Sequence, residues 1–261
     1  MSLTESLKSS FHRAAPALYG SLQEAWTSYR TNKVTEAVVS RHGLVVQGGP
    51  FAGMQYVKQS AGSSLLPKLL GCYEAELHET ISAIIKSEYK TIIDIGCAEG
   101  YYAVGLAVRV PGVRVLAFDT DPRARELCLE MAKVNGVTGR VLVEGECNHE
   151  RLSALIDDRT LIICDCEGCE LHLLDPTVVP GLTSCDLLVE LHDFIDRSIS
   201  PTLVSRFAET HDVSMIDTQE RDPTLYDALR SFSDWDQRVA VAEFREEEMQ
   251  WAFMRSGRSK P

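Results

Sequence analysis

The sequence predicts a doubly wound α/β protein built on a mostly parallel, seven-stranded sheet. From residue 90 onward, short and almost continuously apolar segments alternate with amphipathic ones. Strands of this kind are typical of parallel sheets that helices cover on both faces. The last part of the chain loses this alternation, which suits a sheet that ends in an antiparallel strand. The 261 residues are enough for one such domain with an appendage.

The appendage is expected in residues 1–62, ahead of a main domain at residues 63–261. Residues 10–33 have the spacing of an amphipathic helix, and residues 43–57 predict two short strands around a Gly/Pro turn. Residues 65–86 carry apolar side chains at helical spacing and predict one long helix. The apolar positions of the first helix are Phe11, Leu18, Leu22 and Trp26.

Strands and helices then alternate through the main domain. Asp121 predicts an N-cap, Pro122 a first helical turn, and Asn135 with Gly136 the end of that helix. The predicted strands span residues 91–95, 113–118, 140–144, 160–164 and 186–191, and the helices residues 101–109, 122–134, 149–156 and 168–174. The tail predicts a helix at 201–210, a strand at 213–217 and a hairpin of 238–244 with 250–255.

The charge and the hydropathy of the chain restrict its partners and location. The net charge is -12, from 26 basic and 38 acidic residues. An acidic surface repels phosphate backbones, so we expect no nucleic-acid partner. Residues 1–30 have no continuous apolar core, and no stretch approaches the roughly 18 apolar residues of a membrane span. We therefore expect no signal peptide, no membrane partner and a cytoplasmic protein whose 8 cysteines are reduced.

The loop after the first predicted strand is the strongest candidate for a binding site. It reads Asp-Ile-Gly-Cys-Ala-Glu-Gly over residues 94–100, and ligands of open α/β sheets bind at the carboxyl ends of strands. Its amides and the following helix N-terminus can receive a carboxylate. Asp94 or Glu99 is expected to counter an amine or to organise the loop. A carboxylate, an amine and a ribose are groups that S-adenosylmethionine (SAM) carries.

Two further segments suit SAM. Asp119 ends the second predicted strand, 25 residues after Asp94, and a carboxylate there can accept both ribose hydroxyls. Residues 145–148 follow the third strand, where contacts with an adenine edge are expected. The candidate cofactor-binding residues are Asp94, Gly96, Cys97, Ala98, Glu99, Gly100, Tyr101, Asp119, Thr120, Gly145, Glu146, Cys147 and Asp165.

Two alternatives compete with SAM for this loop. A dinucleotide site should show Gly-x-Gly-x-x-Gly. Here the glycines stand at Gly96 and Gly100 with Ala98 between them, which is the wrong spacing for a pyrophosphate turn. An ordinary strand-to-helix turn without a ligand is the plainer alternative. The loop, the distant carboxylate and the complete alternating frame together favour SAM.

The reaction site is expected where the fourth and fifth predicted strands end. Asp165, Glu190 and His192 gather there and are the candidate catalytic residues. SAM is already activated, so the protein mainly has to orient a nucleophile and remove its proton. His192 is the natural base because imidazole titrates near neutrality.

The same region allows two other interpretations. Asp165, Glu190 and Asp193 could hold a divalent ion such as Mg²⁺, which prefers oxygen ligands and lowers the pKa of a bound hydroxyl. In the other interpretation, Glu167 and Glu170 cap a helix and the histidine is structural.

The acceptor is expected to meet the segment that precedes the cofactor loop, where this kind of fold often places a lid. Lys68, Tyr73 and Glu74 are candidates to face the cleft, and Tyr73, Glu74 and Glu167 are the candidate substrate-binding residues. The fourth strand is followed by Asp-Cys-Glu-Gly. Enzymes that methylate exocyclic amines of bases commonly carry Asn/Asp-Pro-Pro-Tyr/Phe there, so the difference weighs against a base as acceptor.

Three cysteines surround this point of the chain, Cys164, Cys166 and Cys169. A structural zinc site needs four ligands, and three side chains that run from a strand into a helix point in different directions. We expect ordinary buried thiols, with Cys97, Cys147 and Cys166 beside the cofactor.

Four segments together resemble the FkbM-like branch of the SAM-dependent methyltransferases: residues 94–100, Phe118-Asp119, residues 165–174 and Val189-Glu-Leu-His192. The run Asp-Cys-Glu-Gly-Cys-Glu, followed by Leu-Leu and then by Glu-Leu-His, is more specific than the loop alone. The resemblance covers roughly residues 90–195. This chain has Asp119 where a glutamate is common in the family, and cysteines at 166 and 169 where apolar or small residues are usual.

The resemblance implies a Rossmann-like class I methyltransferase fold and O-methylation of a small molecule, such as a sugar or a natural-product intermediate. N-methylation of a small molecule and a non-catalytic, SAM-binding regulatory role are the alternatives that the sequence leaves open. The N-terminal extension is expected to pack either on its own sheet or on a second subunit, as in a homodimer.

Overall fold

The described chain divides into a sheet unit and a helical unit. The computed structural model describes residues 16–245, 247 and 249–257. The sheet unit comprises Leu44–Arg221 with the described residues from Glu243 onward, and the helical unit comprises the described residues up to Gly43 with Asp222–Ala242.

The sheet has seven strands, and six of them, all but β7, run in the same direction. The strands are β1 Thr91–Ile95, β2 Arg114–Phe118, β3 Val141–Glu144, β4 Thr160–Cys164, β5 Asp186–Leu191, β6 His211–Asp217 and β7 Gln250–Ser256. Their order is β3-β2-β1-β4-β5-β7-β6, and β7 lies antiparallel between β5 and β6. The mostly parallel sheet that the sequence predicts is therefore confirmed. The strand order reverses between β1 and β4, which is where doubly wound sheets bind their ligands.

Helices connect these strands. The helices are α1 Pro16–His42, α2 Leu65–Leu70, α3 His78–Lys86, α4 Tyr101–Arg109, α5 Pro122–Val134, α6 His149–Leu155, α7 Glu170–Leu173, α8 Ile199–Phe207 and α9 Asp234–Ala240. Asp121 caps α5 as predicted, since its side chain accepts a hydrogen bond from Arg123 N at 2.9 Å. Asn148 caps α6 in the same way through Arg151 N at 2.8 Å.

The core lies on both sides of the central strands. Every residue of β1, β4 and β5 is buried, which explains why these strands show no apolar–polar alternation in the sequence. Leu203 and Phe207 of α8 are fully buried against this core. Each such side chain stabilises the fold by about 1.5–3 kcal/mol relative to an exposed one.

The long helix predicted over residues 65–86 is wrong. In the structure, this segment consists of α2, a turn, a short 3₁₀ segment at Ala75–Leu77, and α3. Gly71 ends α2 in the left-handed conformation, with φ 76°. A Cβ atom there would lie 2.2 Å from the carbonyl oxygen of Gly48. Two backbone segments touch at this glycine, so the chain turns although its apolar periodicity continues.

Two further predicted elements differ from the structure. Residues 43–57 form a single antiparallel bridge, Val45 with Gln55, rather than two strands. The hairpin strand predicted at 238–244 is wrong, because Ser233 accepts a hydrogen bond from Asp236 N and starts α9 instead.

The division into units also differs from the boundary predicted at residue 62. Residues 44–62 belong to the sheet unit, because their apolar side chains pack there. Phe51 is buried and meets Tyr101 edge-on, with 5.1 Å between ring centroids. Residues 222–242 join the N-terminal helix instead.

The helical unit is built on α1 and α9. The predicted start of the first helix, with Phe11, lies outside the described residues, and α1 continues to His42. Trp26 is 54% exposed, so it does not mark a buried face; Val34 is buried instead. Arg30 Nε donates to Asp236 Oδ1 at 2.9 Å and joins the two helices. In the part of the chain that the structure describes, no helix is both long enough and apolar enough to cross a membrane.

Candidate cofactor and acceptor site

A cavity of about 480 Å³ opens at the carboxyl ends of the parallel strands, which is a suitable size for a ligand such as SAM. It is lined by the predicted cofactor residues Gly96, Ala98, Asp119, Thr120, Gly145, Glu146, Cys147 and Asp165. The other predicted residues, Asp94, Cys97, Glu99, Gly100 and Tyr101, do not line it. We call this space the first cavity.

The cofactor loop, residues 94–100, folds back on β2. The N–H groups of Gly96 and Cys97 donate to the Phe118 carbonyl at 2.8 and 2.9 Å. The Ala98 N–H donates to Asp119 Oδ2 at 2.8 Å. These three amides are therefore satisfied within the protein and are not available to a ligand carboxylate. The following helix N-terminus, the other group that the sequence offers for it, stays a prediction.

Gly96 brings the ends of β1 and β4 into contact. It has φ +84°, and a Cβ atom at this position would lie 1.6 Å from the Asp165 carbonyl oxygen. Only glycine permits both the conformation and the approach. The close approach places Asp165 on the wall of the first cavity.

Asp119 is held rigidly at the end of β2. One carboxylate oxygen accepts from Ala98 N and the other from Asp121 N, both at 2.8 Å. Each carboxylate oxygen has a second lone pair. The residue can therefore accept ribose hydroxyls in the first cavity while it organises the loop.

Asp94 carries a buried oxygen without a partner. It is 2% exposed, and its Oδ2 atom makes no hydrogen bond within the described structure. Burial raises the pKa of this carboxyl to about 7. A cationic group of a ligand, reached directly or through water, would compensate this oxygen, so the residue fits a cofactor that carries an amine.

Glu99 organises the segment over the first cavity rather than contacting a ligand. Its carboxylate accepts hydrogen bonds from Tyr56 and Lys68, from Ser60 Oγ at 2.8 Å and from the Ala61 N–H at 3.0 Å. Burial opposes its ionisation, but the Lys68 charge and these bonds outweigh it and lower the pKa of Glu99.

This arrangement corrects the expectation for Lys68, which is 2% exposed and faces Glu99 instead of the cleft. It also brings Ala61 and Gly62 to the wall of the first cavity. Sequence reasoning missed both residues, as well as Cys169 and His172 on the same wall. The run Ala61-Gly-Ser-Ser64 between two predicted elements was the available signal.

A second cavity of about 440 Å³ adjoins the first, and both are lined by Gly62, Asp165 and Glu167. Tyr73 and Glu167, two predicted substrate-binding residues, line it. Its rim is apolar: Phe194, Ile195 and Phe244 are each about half exposed. This second cavity is where an acceptor molecule would fit.

The three predicted catalytic residues meet in the second cavity. His192 Nε2 lies 3.5 Å from Asp165 Oδ1 and 3.5 Å from Glu190 Oε2. His192 and Glu190 are buried, whereas Asp165 is about one third exposed. On the other side of the ring, His192 Nδ1 lies 2.7 Å from Glu170 Oε1.

The electrostatics of this group favour proton exchange near neutral pH. Burial, and then the charge of Asp165, raise the pKa of Glu190 to about 8. Burial raises the pKa of Asp165 to about 7. Burial lowers the pKa of His192, but its bond to Glu170 and the surrounding carboxylates outweigh that effect and raise it.

Arg245 is a further residue of the site that sequence reasoning missed. Its guanidinium donates to Glu190 Oε1 at 2.5 Å, to Glu74 Oε1 at 2.7 Å and to Glu243 Oε2 at 2.9 Å. Glu74, predicted to bind substrate, is 1% exposed and does not line the second cavity. It holds Arg245 in place instead, and also accepts from the Tyr102 hydroxyl.

Asp193 lies apart from Asp165, Glu190 and His192, the three predicted catalytic residues, which we call the catalytic group. Its carboxylate accepts from Ser200 N at 2.9 Å and from the Ser200 hydroxyl. The carboxylate and imidazole groups that come together are those of Asp165, Glu190 and His192, whose ligand atoms all lie within 4.8 Å of one another. His192, and not Asp193, is thus the third member of the group that the sequence analysis considered as metal ligands.

The cysteines are not all free thiols. Cys166 and Cys169 form a disulfide bond, contrary to the reduced state expected from the sequence, because the turn after β4 brings their Cα atoms to 5.5 Å. Cys166 and Cys147 line the first cavity, as expected. Cys97 is buried away from it, and a hydrogen bond with Cys128, together with burial, raises the pKa of its thiol.

The strand order and the antiparallel β7 are those of the Rossmann-like class I methyltransferase fold. No family model matches the chain. A ribosomal protein L11 methyltransferase from Herpetosiphon aurantiacus is 38% identical over 74 residues, which are 28% of this chain and 21% of that relative. The chain thus matches about a fifth of that relative's length.

Solved structures with a related fold share less sequence. The O-methyltransferase TomG from Streptomyces achromogenes, solved with SAM, is 13% identical over 71% of this chain and 81% of its own, with a TM-score of 0.45. A precorrin-6y C5,15-methyltransferase from Geobacter metallireducens is 10% identical over 69% of this chain and 89% of its own, with a TM-score of 0.47. At these levels no activity or acceptor is transferred to this chain.

Proposed function

We propose that this protein is a SAM-dependent methyltransferase that moves a methyl group to an oxygen of a small molecule. The observation that carries the proposal is the junction of the two cavities at Asp165, beside the buried histidine of the catalytic group. A cofactor in the first cavity and an acceptor in the second would meet at this carboxylate.

The residues of the first cavity fit SAM. Asp119 would accept the ribose hydroxyls. Asp94 does not line the cavity, and its buried, unpartnered oxygen would compensate the amine through a bridging water. The segment at Gly62, held down through Glu99, would cover the cofactor and limit access of water. Bound SAM supplies an activated methyl group on a sulfonium.

The second cavity would hold the acceptor at the place where its hydroxyl proton is removed. Phe194, Ile195 and Phe244 offer an apolar rim for its body. The acceptor oxygen forms a bond to the methyl carbon while the carbon–sulfur bond breaks, and S-adenosylhomocysteine leaves. In one route, the hydroxyl proton goes directly to His192, which Glu170 orients. In the other, it goes to solvent after a Lewis acid bound beside the hydroxyl has lowered the hydroxyl pKa.

The acceptor is a small molecule rather than a nucleic acid, since the net charge is -12. N-methylation of a small molecule uses the same cavity and stays the alternative. The FkbM-like resemblance supports a sugar or natural-product acceptor, and magnesium has no part in the proposal.

The experiment is calorimetric titration of the protein with SAM, followed by assay of S-adenosylhomocysteine with a panel of hydroxyl- and amine-bearing acceptors. We expect micromolar binding that weakens about 10- to 100-fold in Asp119→Ala, because a charge-assisted hydrogen bond contributes about 1.5–3 kcal/mol. Asp158→Ala, an exposed acid outside both cavities, is the matched control. Absence of SAM binding to the folded wild type would overturn the proposal.

A further inference from the structure

The catalytic group has the composition of a metal site. Asp165 follows β4, and Glu190 and His192 lie at the end of the neighbouring β5. Each residue offers one ligand atom, and the three atoms lie within 4.8 Å of one another. Two carboxylates and one imidazole form a donor set that binds divalent transition metals.

The distances from His192 to the two carboxylates suit a shared ion better than hydrogen bonds. The His192 Nε2 atom is 3.5 Å from Asp165 Oδ1 and 3.5 Å from Glu190 Oε2. Both distances are too long for good hydrogen bonds. A tetrahedral ion with bonds of about 2.0–2.2 Å would set its ligand atoms roughly 3.3–3.6 Å apart. The imidazole therefore already stands at the distance that a shared ion requires.

The outer partners of these ligands leave the inner atoms available. Glu170 takes up the Nδ1 side of His192 at 2.7 Å, so Nε2 faces the two carboxylates. Arg245 occupies Glu190 Oε1 at 2.5 Å and leaves Oε2. Carboxylates that orient a ligating histidine through its other ring nitrogen are the usual support of protein metal sites.

The position of the group also leaves room for a substrate atom. All three residues line the second cavity, and Asp165 lines the first as well. A site with three protein ligands and one open position is the arrangement of catalytic rather than structural zinc. The apolar rim of the second cavity lies around that open position.

We propose that Asp165, Glu190 and His192 bind one divalent metal ion of the Zn²⁺ class, with the fourth position open to the acceptor oxygen. The imidazole in the set favours such an ion over Mg²⁺. Binding of the ion does not depend on the proposed function, whereas its role in methyl transfer rests on that function. An acceptor hydroxyl at the open position releases its proton to solvent more readily, and its oxygen then attacks the methyl carbon.

The test uses the full chain, stripped with a chelator and then titrated with Co²⁺, whose visible absorption reports tetrahedral coordination. We expect one equivalent of Co²⁺ to bind with the spectrum of a tetrahedral nitrogen–oxygen site, and equilibrium competition by Zn²⁺. His192→Gln and Glu190→Gln should each weaken binding at least about 100-fold. Glu170→Gln, which removes only the outer partner, should weaken it about 10- to 100-fold. Circular dichroism shows whether each variant is folded.

Matched variants separate this site from others that could take up Co²⁺. His149 and His172 stack with ring centroids 4.6 Å apart, so His149→Gln should leave the absorption unchanged. The proposal is overturned if Co²⁺ binds without saturation, if His149→Gln removes the signal, or if Asp193→Asn removes it while His192→Gln retains it.

The two proposals fail separately. SAM binding is measured on the stripped protein without Co²⁺, so its loss concerns only the methyltransferase proposal. Methyl transfer that persists at full rate in the stripped protein with excess chelator overturns the role of the ion in the reaction alone, and leaves direct proton transfer to His192. The binding site itself is overturned only by the Co²⁺ titration.

Discussion

Asp94 illustrates at the scale of a residue how one oxygen of a buried carboxyl is left without a hydrogen-bond partner. Its carboxyl is 2% exposed, accepts the backbone N–H of Ala103 and has one unpartnered oxygen. Asp119 and Glu74 add negative charge near it. The buried group therefore holds a proton up to pH about 7 unless a cation arrives.

The affinity for SAM should consequently depend on pH through Asp94. Below pH 7 the cationic ligand must displace a proton, so we expect Kd to increase several-fold from pH 8 to pH 6. Calorimetry at pH 6 in buffers of different ionisation enthalpy should show release of up to about one proton. Asp94→Asn should bind weakly with a flatter profile, and an unchanged profile in this variant would contradict the assignment.

The sequence identified some site residues and not others for a physical reason. Asp119 and Asp165 were found because they end buried strands, and strand ends meet at one edge of a parallel sheet. Arg245 lies in an irregular segment 55 residues after its partner Glu190, without a local pattern. The role of Glu74 was missed with it, since an ion pair is visible only in space.

At the scale of elements, the break between α2 and α3 shapes the wall of the second cavity. Apolar spacing runs through residues 65–86 and predicts a continuous helix, but periodicity carries no information about a neighbouring backbone. Gly71 touches Gly48, so α2 ends there, and Tyr73 follows in the turn beside the second cavity. A contact between two glycines far apart in sequence thus outweighs helical propensity.

Gly71→Ala should therefore cost more stability than a matched glycine substitution. Gly136, at the end of α5, has φ +69° and open space around a Cβ atom. Gly136→Ala should lose about 1 kcal/mol for the left-handed conformation alone. Gly71→Ala adds a backbone clash and should lose about 2–4 kcal/mol. Urea unfolding measures both, and equal losses would show that the Gly48 contact is unimportant.

At the scale of the whole molecule, the mostly parallel sheet followed from the sequence because apolar strands and helices alternate with few exceptions. The tail did not follow, because β7 inserts between β5 and β6 instead of pairing with its predicted hairpin partner. That insertion brings Trp251 beside Glu190 on the neighbouring strand. Arg245, which precedes β7, thereby reaches Glu190 of the catalytic group.

The carboxylates of this molecule give a further prediction about its stability. Burial raises the pKa of Glu74 to about 8 and of Asp94 to about 7, above ordinary values of about 4. The folded state therefore binds more protons than the unfolded state between those limits, and stability falls as pH rises from about 4 to about 8. Glu99 has a lowered pKa, and the stability it contributes is lost only as pH falls below about 4.

Without ligand, the protein should accordingly have a higher Tm at pH 5.5 than at pH 8, by several degrees in scanning calorimetry. The double variant Glu74→Gln with Asp94→Asn should weaken this dependence, because these two side chains no longer titrate, whereas Asp165 and Glu190 keep their raised pKa values. SAM should raise the wild-type Tm more at pH 8 than at pH 5.5, since it compensates the ionised Asp94. A wild-type Tm that increases from pH 5.5 to pH 8 would mean that these carboxylates are ionised at ordinary pKa values. The fold would then accommodate their charge without a ligand.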